Sequence, residues 1–511
     1  MLTKSKIKEI LSSRIEELCS LNLPHFSLLS NLNEGVELLV SHINKNSKIT
    51  VVGDYDVDGV SSSAVMKLFF EKIGVDVEII IPDRFEDGYG LSVGLLDKLN
   101  ADLIITVDNG ITSFEAAREC KKRGIDLIIT DHHTPVVENG EIKLPDALVI
   151  NPKTSPDFPF KEICGAEVAW YFCAGIKAKL KEKIDLREFS DILSIAIIAD
   201  VMPLTHMNRT LVNMGLKRLN LALKPFSKAL KRFFNKDFTS EDIAFQIAPR
   251  INAAGRMANA KVAYEFFVSK DENRAYELLM ELDSFNNLRK ESENEVLEAI
   301  GKVDGDFIVV KGDFHEGVIG IVASRLVNRY KKPAIVFSSK KGGILKGSGR
   351  SLGNIDIFKL ISGCEDLLEG FGGHKMACGL SVKEENFSLL KEKLNALLKN
   401  YNEDDFFIED YVLGELPFRE IDLELLDILK EFEPFGEGNP KPKFITTAKV
   451  KHIQNLKDNH YKLILSQDDI ILPAVIFRYD GEFDEVITFK FSVGENNYYQ
   501  RSVQIMIEEI L

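Results

Sequence analysis

Apolar residues come in short unbroken runs through the first third of the chain: KITVVGD (48–54), VDVEIIIPD (75–83), DLIITVD (102–108), DLIITD (126–131) and ALVIN (147–151). A strand with one wet face alternates apolar and polar positions, whereas a strand covered on both faces has no reason to. The stretches between, VSSSAVMKLFFEKIG, LSVGLLDKLN and SFEAARECKKRG, carry the three-to-four spacing of helices. The pattern predicts an α/β domain built on a parallel sheet. Residues 165–235 read as largely helical. The charged stretch 271–303 reads as a long, solvated connecting helix. Next comes a second α/β unit, with strands at 306–310 and 333–337 and a helix from about Val318 to Tyr330. It turns glycine-rich at GGILKGSGRS and GFGGHKMACG, and for GSGRS an ordinary loop is the local expectation. From about Phe406 the texture becomes alternating, as in FITTAKVKHI and HYKLILS, which predicts a small β-barrel or sandwich.

The expected organisation is a helical segment over 1–45, a first α/β domain over 46–235, a connecting helical region over 236–303, a second α/β domain over 304–403 and a β domain over 404–511. A chain of 511 residues is too long for one core, and 45% hydrophobic with 28% charged residues describes a globular protein. No run approaches a membrane span, and the start, MLTKSKIKEILSSRIEEL, lacks a secretory apolar core. The six cysteines form no CxxC pair, so free thiols in a reducing cytoplasm are expected. A net charge of −15 argues against a protein coated with nucleic-acid-binding charge, although 217–236 holds seven Lys or Arg and no acid. There is no GxxxxGK[ST] and no HExxH.

Three runs of the first domain end in acid: Asp54, Asp56 and Asp58 after the first, Asp108 after the third, and Asp131-His132-His133 after the fourth. Taken one at a time, each is better read as a turn former or a helix cap. Taken together they differ, because the carboxyl ends of parallel strands share one edge where ligands collect. So many carboxylates in one place repel each other and push their pKa values up unless cations join them. Oxygen donors mixed with imidazole suit Mn²⁺, with Mg²⁺ as a substitute.

These motifs resemble the DHH phosphoesterase superfamily, whose name is the Asp131-His132-His133 triplet. DYDVDG, PDRFEDGYGLS, VDNG, TDHH and AIIADVMPL follow the family's order, and RINAAGRM, HEGVIGIVASRL, GSGRS and GGHKMACG resemble its DHHA1 accessory domain. With EPFGEGNPKP, the pattern is most similar to the RecJ family of single-strand-specific 5′→3′ DNA exonucleases, over about residue 48 to the C-terminus. The resemblance implies two divalent ions, one held by Asp56 and Asp108, the other by Asp58, Asp108, His132 and Asp200. Many relatives carry a histidine where this chain has Val52, which leaves Asp54 as a substitute ligand. His133, Asp108 and Asp131 are the implied catalytic residues: His133 beside the scissile phosphate, Asp131 orienting a histidine.

The same resemblance implies a substrate grip made of Arg84, Arg250, Arg256, Ser348, Arg350 and His374, with the 5′ end received near GSGRS. Guanidinium forks match phosphate oxygens in pairs. The C-terminal β segment resembles an OB-fold, in which Phe444, Tyr461, Phe477 and Tyr479 are candidates for base stacking, about half of them expected in the core. Lys441, Lys443, Lys449 and Lys451 are candidates for tracking the backbone. The implied partners are single-stranded DNA, a single-strand-binding protein and a helicase; the implied state is a monomer with no membrane attachment. Two other readings stay open here: a phosphodiesterase of short oligoribonucleotides or cyclic dinucleotides, and an inactive DNA-binding relative.

Overall fold

In a computed structural model the chain is described at all residues except 19–22, 340–341, 408–410, 457–458 and 497–499. It forms two compact units. The first contains Met1–Ile80, Gly90–Ala248 and Tyr411–Leu511, the second Ile81–Tyr89 and Pro249–Asp410. Among the described residues no helix is long and apolar enough to cross a membrane. Five cysteines are buried free thiols, and Cys19 lies outside the described residues.

The five apolar runs all become strands of one parallel sheet in the first unit: β1 (Ile49–Val52), β2 (Glu78–Ile80), β3 (Leu103–Val107), β4 (Asp126–Thr130) and, after a small hairpin of β5 (Val136–Glu138) and β6 (Glu141–Lys143), β7 (Leu148–Ile150). Their order is β2-β1-β3-β4-β7. Every residue of β1 and β3 is buried, as unbroken apolar strands require. Helix Val57–Lys72 starts straight after β1 and is covered by helices Gly165–Leu180 and Ser190–Ala199. Its Ser61, Ser62 and Ser63 are fully buried, small enough for helices to approach closely. Lys224, Lys231 and Lys236 of the basic 217–236 stretch pair with Asp191, Asp237 and Asp242, so much of its charge is neutralised locally.

Residues 1–45 differ from the single helical segment expected. Helix Lys4–Leu18 puts Ile7 and Leu11 into the core of the C-terminal β domain, and Lys4 bonds Asp422 there at 2.6 Å. Helix Leu32–Asn44 packs instead on helix Gly165–Leu180 of the first α/β domain, where Gly35 lies against Ile150 and Phe172. That β domain is a closed five-stranded barrel of β14 (Lys443–Asn455), β15 (Tyr461–Gln467), β16 (Ile470–Ile476), β17 (Val486–Asn496) and β18 (Ser502–Ile510), since β14 pairs with both β15 and β17; the short β13 (Val412–Glu415) lies along β14.

The second unit is built on the mixed sheet β11-β12-β10-β9-β8, from β8 (Ile308–Gly312), β9 (Ala334–Ser339), β10 (Ile344–Arg350), β11 (Leu368–His374) and β12 (Ala377–Lys383). Both glycine-rich stretches are largely strand, including GSGRS, for which a loop is the expectation. A Cβ at Gly347 would meet Phe337 at 2.4 Å and one at Gly349 would meet Cys378 at 2.5 Å, so these glycines let the sheet pack tightly. The long helix, Glu272–Ile300, exists but is not wholly solvated. It buries Ala275, Leu278, Leu279, Leu282 and Val296 against helices Lys261–Val268 and Glu316–Tyr330. The connecting region 236–303 is itself divided, between Ala248 and Pro249.

Candidate metal centre

Where β1 ends, the chain turns into helix Val57–Lys72, and Asp56 is its N-cap, accepting hydrogen bonds from the backbone N–H of Asp58 (3.0 Å) and Gly59 (3.1 Å). The helix-cap reading is therefore true of Asp56, yet only one of its two oxygens is needed for it. Gly59 leaves room for Asp54, whose Cβ would lie 2.5 Å from a Cβ at position 59. Asp58 is held from across the fold: its Oδ2 accepts from Gly165 N at 2.5 Å and its Oδ1 from Ala166 N at 2.9 Å. The N-terminus of helix Gly165–Leu180 thus fixes that carboxylate with two otherwise unpaired N–H groups and its dipole.

Asp108 follows β3 in the left-handed conformation (φ 62), tolerable for Asp and a means of aiming the side chain back over the strand end. Its neighbour Asn109 is fully buried and ties the strand ends together, donating to Val52 O (3.1 Å) and Val107 O (2.9 Å) while accepting from Leu91 N (3.2 Å). A Cβ at Gly165 would fall 2.5 Å from the Asp108 Cβ, so only glycine fits there. After β4, Asp131 accepts from the N–H groups of Ile111 (2.8 Å), His132 (2.7 Å) and His133 (3.0 Å), and His133 Nδ1 donates to it at 2.8 Å. Asp200 caps the C-terminus of helix Ser190–Ala199.

These segments bring their side chains together. His132 Nε2 lies 3.2 Å from Asp108 Oδ1, 3.6 Å from Asp58 Oδ2 and 3.6 Å from Asp200 Oδ2. Three sets have ligand atoms mutually within 4.8 Å: Asp54, Asp56 and Asp108; Asp58, His132 and Asp200; and Asp108, His132 and His133. Two carboxylates about 4.8 Å apart repel by roughly 3.5 kcal/mol at an effective dielectric of ~20, so the cluster cannot ionise fully alone. Burial, then the charges of Asp58, Asp56, Asp54 and Asp200, push the Asp108 pKa well up. Burial, then Asp58 and Asp56, push Asp200 up to about 9. Burial lowers His132 and keeps the imidazole neutral, the form that ligates metal. Burial alone would lower His133 as well, but its hydrogen bond to Asp131 and the acids around it outweigh that and hold it up at about 9. Burial opposes the ionised form of Asp131, yet the His133 and backbone hydrogen bonds prevail and its pKa falls.

The donor set fits divalent cations on its own terms. Among the described residues, His132 Nε2 and Asp200 Oδ2 are buried without a hydrogen-bond partner, a state that a bound ion would relieve. Oxygen donors with one imidazole are the chemistry of Mn²⁺ and Mg²⁺ sites.

The second unit gathers part of the expected substrate grip. On β10, Ser348 and Arg350 lie two residues apart and so share a face; Arg350 Nη1 donates to Ser348 Oγ at 3.0 Å. Both lie beside Gly320 of helix Glu316–Tyr330, where a Cβ would come within 3.0 Å of each. Arg84 is close enough to add to the fall in the Arg350 pKa that burial causes. Arg256 donates to Gly317 O at 3.2 Å, on the same helix. Arg250 is tied to Asp283 of the long helix at 2.8 Å, and His374 is exposed on β11, where its Nδ1 accepts from Met376 N. In the barrel, Phe444 is core, and Tyr461 and Tyr479 pack with Phe483, which leaves Phe477, 55% exposed, as the open ring. Lys441, Lys443 and Lys449 pair with Glu241, Glu508 and Glu485.

Sequence reasoning missed Asn109, Gly165 and Ala166. The available signal was local: CGAE before an apolar helix is a capping pattern, with Glu167 Oε2 accepting from Cys164 N at 2.9 Å.

Residues 48–197 match the DHH family N-terminal domain, residues 304–400 the DHHA1 domain and residues 414–509 the RecJ OB domain. The chain is thus of the DHH class, with its acid cluster, all but Asp200, inside the DHH match. It is 32% identical to the single-stranded-DNA-specific exonuclease RecJ of Haemophilus influenzae over 94% of this chain and 91% of that protein. Among solved structures, RecJ of Thermus thermophilus in complex with Mn²⁺ superposes with a TM-score of 0.81 at 29% identity, covering 94% of this chain and 72% of that one; its Mg²⁺ complex gives 0.77 at 27% identity, covering 94% and 70%. The chain belongs to the RecJ family.

Proposed function

We propose that this chain is a metal-dependent exonuclease that hydrolyses single-stranded DNA from its 5′ end. The observation that carries the reading is the convergence of Asp54, Asp56, Asp58, Asp108, His132 and Asp200 with buried ligand atoms that lack protein partners at His132 and Asp200. Its relatives are named for that activity, and solved members of the family hold Mn²⁺ or Mg²⁺. In this reading Asp56 and Asp108 hold one ion, with Asp54 in place of the histidine that Val52 replaces, and Asp58, Asp108, His132 and Asp200 hold the other. A pair of such ions, when bound, supplies an acidified water and a counter-charge for the phosphate in the transition state.

The protein's own groups do the rest. Asp131 holds Nδ1 of His133 and leaves Nε2 of a side chain that is 45% exposed to donate to a phosphate oxygen. A donor fixed in advance favours the charge that grows there during reaction. Arg350, Ser348 and Arg84 are the proposed seat of the 5′-terminal phosphate; Arg256 and His374 are proposed contacts further along the strand. Arg250, occupied by Asp283, is proposed to act only after exchanging that partner for phosphate. A monomer working in the cytoplasm suits the free thiols, and a strand-separating helicase and a single-strand-binding protein are the partners such an activity calls for.

The test is digestion, with Mn²⁺, of end-labelled single-stranded DNA, duplex DNA, a dinucleotide RNA and a cyclic dinucleotide. Loss from the 5′ end of single strands alone is expected. Cleavage confined to the dinucleotides would replace the reading with a small-substrate phosphodiesterase, and binding without cleavage would replace it with a scaffold.

A further inference from the structure

The five residues after Asp200 are held only in part by their own helix: Val201 N donates to Ile198 O at 3.2 Å and Met202 N to Ile197 O at 3.0 Å, which leaves Pro203, Leu204 and Thr205 to be fixed from elsewhere. Val201 has φ 55, a left-handed conformation that strains a β-branched residue, and it is 63% exposed, so its own side chain packs too little to offset that. His206, at the far end of the same loop, is also left-handed, at φ 45. What fixes the far half of the loop, 203–205, is a distant piece of chain, the EPFGEGN stretch that leads into the barrel. Leu204 N donates to Glu437 O at 2.7 Å. Gly438 (φ 71) lies under the loop, where a Cβ would come within 2.9 Å of Thr205 Cγ2 and 3.2 Å of Pro203 Cβ, and a Cβ at Gly436 would be 2.7 Å from Leu204 Cδ1.

That stretch is in turn held by Arg209, on the helix after the loop. Arg209 is 5% exposed, and its guanidinium donates to the carbonyls of Phe432 (3.0 Å), Glu433 (2.7 Å) and Pro434 (3.2 Å). A guanidinium buried this far is costly unless its donors are satisfied, and three consecutive carbonyls satisfy them only if 432–434 keeps this one shape. Asn439, fully buried, closes the turn from inside by donating to the carbonyls of Phe432 (3.0 Å) and Pro434 (2.9 Å). Ser240 Oγ donates to Phe435 O at 2.7 Å, and Arg14 of the N-terminal helix donates to Pro440 O at 2.9 Å.

We infer that the 432–439 stretch, clamped by Arg209, is a positioning device for Asp200. By fixing 203–205 it steadies the chain that leaves the helix end carrying Asp200, and with the helix cap it sets where that carboxylate stands, so affinity for a cation there depends on Arg209, Gly438 and Asn439, none of which is among the proposed ligands. Arg209 is a positioning residue, not a catalytic one. The inference rests on the metal reading above and adds a role that no strand-end motif suggests. Groups that orient metal ligands typically change affinity 10–100-fold when removed. Linkage makes the effect reciprocal: if the clamp tightens metal binding, metal binding tightens the clamp by the same factor.

The test uses the whole chain and both directions of that linkage. Hydrogen exchange of the parent protein is followed with and without Mn²⁺. Slowing of about tenfold is expected not only at 54–59, 106–111 and 131–133 but also at 201–206 and 432–439. In parallel, Arg209→Lys and Gly438→Ala are titrated with Mn²⁺ by electron paramagnetic resonance. One of the two ions is expected to bind about tenfold or more weakly and the other as in the parent. His42→Ala, which removes the remote His42–Asp126 contact, serves as an equally buried control expected to bind both ions normally. Protection of the strand-end segments without any change at 432–439 overturns the inference and leaves the metal reading standing. So do two folded variants that bind both ions like the parent. If Mn²⁺ changes exchange nowhere, the metal reading has failed and the inference falls with it.

Discussion

The first unit solves a problem of too many negative charges, the second a problem of too few places to put positive ones. In the first, a parallel sheet delivers acids to one edge because all its strands finish there, and segments as distant as 54–58, 108, 131–133 and 200 meet within a few ångströms. In the second, Ser348 and Arg350 reach one face through the pleat of a single antiparallel strand, with Gly347 and Gly349 on the other face packed on the core. One cluster is assembled by topology and the other by a period of two. The first stores electrostatic strain that a cation relieves, and the second is already comfortable. Loss of a residue should therefore act on turnover in the first and on end recognition in the second.

The sharpest break is Asp108→Asn. The residue touches two of the three ligand sets, so turnover on single-stranded DNA is expected to fall by ~10³-fold or more, the scale for losing a preorganised electrostatic element. Melting without metal at pH 8 should not fall, because the substitution removes a carboxyl that burial already disfavours. Near-parental turnover, or a marked loss of stability in the metal-free state, would refute the account of this cluster.

His133→Ala comes next, with kcat expected to drop about 10²–10³-fold, as for a lost proton donor, and both Mn²⁺ ions still bound. If a titration shows an ion missing, His133 is a ligand and the proposed role is wrong. Arg350→Ala tests the other side of the comparison. Charge-assisted hydrogen bonds contribute about 1.5–3 kcal/mol, so KM for a 5′-phosphorylated strand should rise roughly 10–100-fold with kcat nearly kept, and the preference over a 5′-hydroxyl strand should vanish. A drop in kcat alone would show that the two clusters do not divide the work this way.

The same contrast explains what could be read from the sequence. Buried parallel strands advertise themselves as unbroken apolar runs, and the acids just after three of them are visible without coordinates; all five strands and the acid-bearing ends are where the pattern predicts them. Ser348 and Arg350 were named through the resemblance, but the strand that carries them was hidden because glycine-rich GSGRS resembles a loop, while only the packing against Phe337 and Cys378 shows why a strand needs those glycines. Helix Glu272–Ile300 was visible but its dry side was not, since Ala275, Leu278, Leu279 and Leu282 are outnumbered by charges. Non-local events left no trace at all. Nothing in MLTKSKIKEIL indicates that Ile7 and Leu11 complete a core made by residues more than 400 positions away, and nothing in CGAE says that it clamps Asp58.

The smallest effect expected is a slope, and it separates the clusters without any mutation. In the folded, metal-free chain Asp108 and Asp200 keep protons that an unfolded chain releases around their ordinary value of 3.8, and Asp200 holds its proton up to about 9. The unfolded state then binds fewer protons, so stability falls as pH rises towards 9. His133 adds the same sign, since its raised pKa gives stability that is lost as pH climbs through about 9. His132, lowered by burial, acts oppositely, but only around and below its ordinary value of 6.5. Between pH 7 and 9 the metal-free protein should therefore lose melting temperature steadily. A divalent cation must displace those protons, so its affinity should rise about tenfold per pH unit for each proton released. The rise in melting temperature that Mn²⁺ produces should accordingly be larger at pH 8.5 than at pH 7. Arg350 stays cationic across this range even though burial lowers its pKa, so KM for a 5′-phosphorylated strand at saturating Mn²⁺ should stay flat. A metal affinity independent of pH, or a KM that follows the metal slope, would mean that the two clusters are not the distinct electrostatic devices their geometry describes.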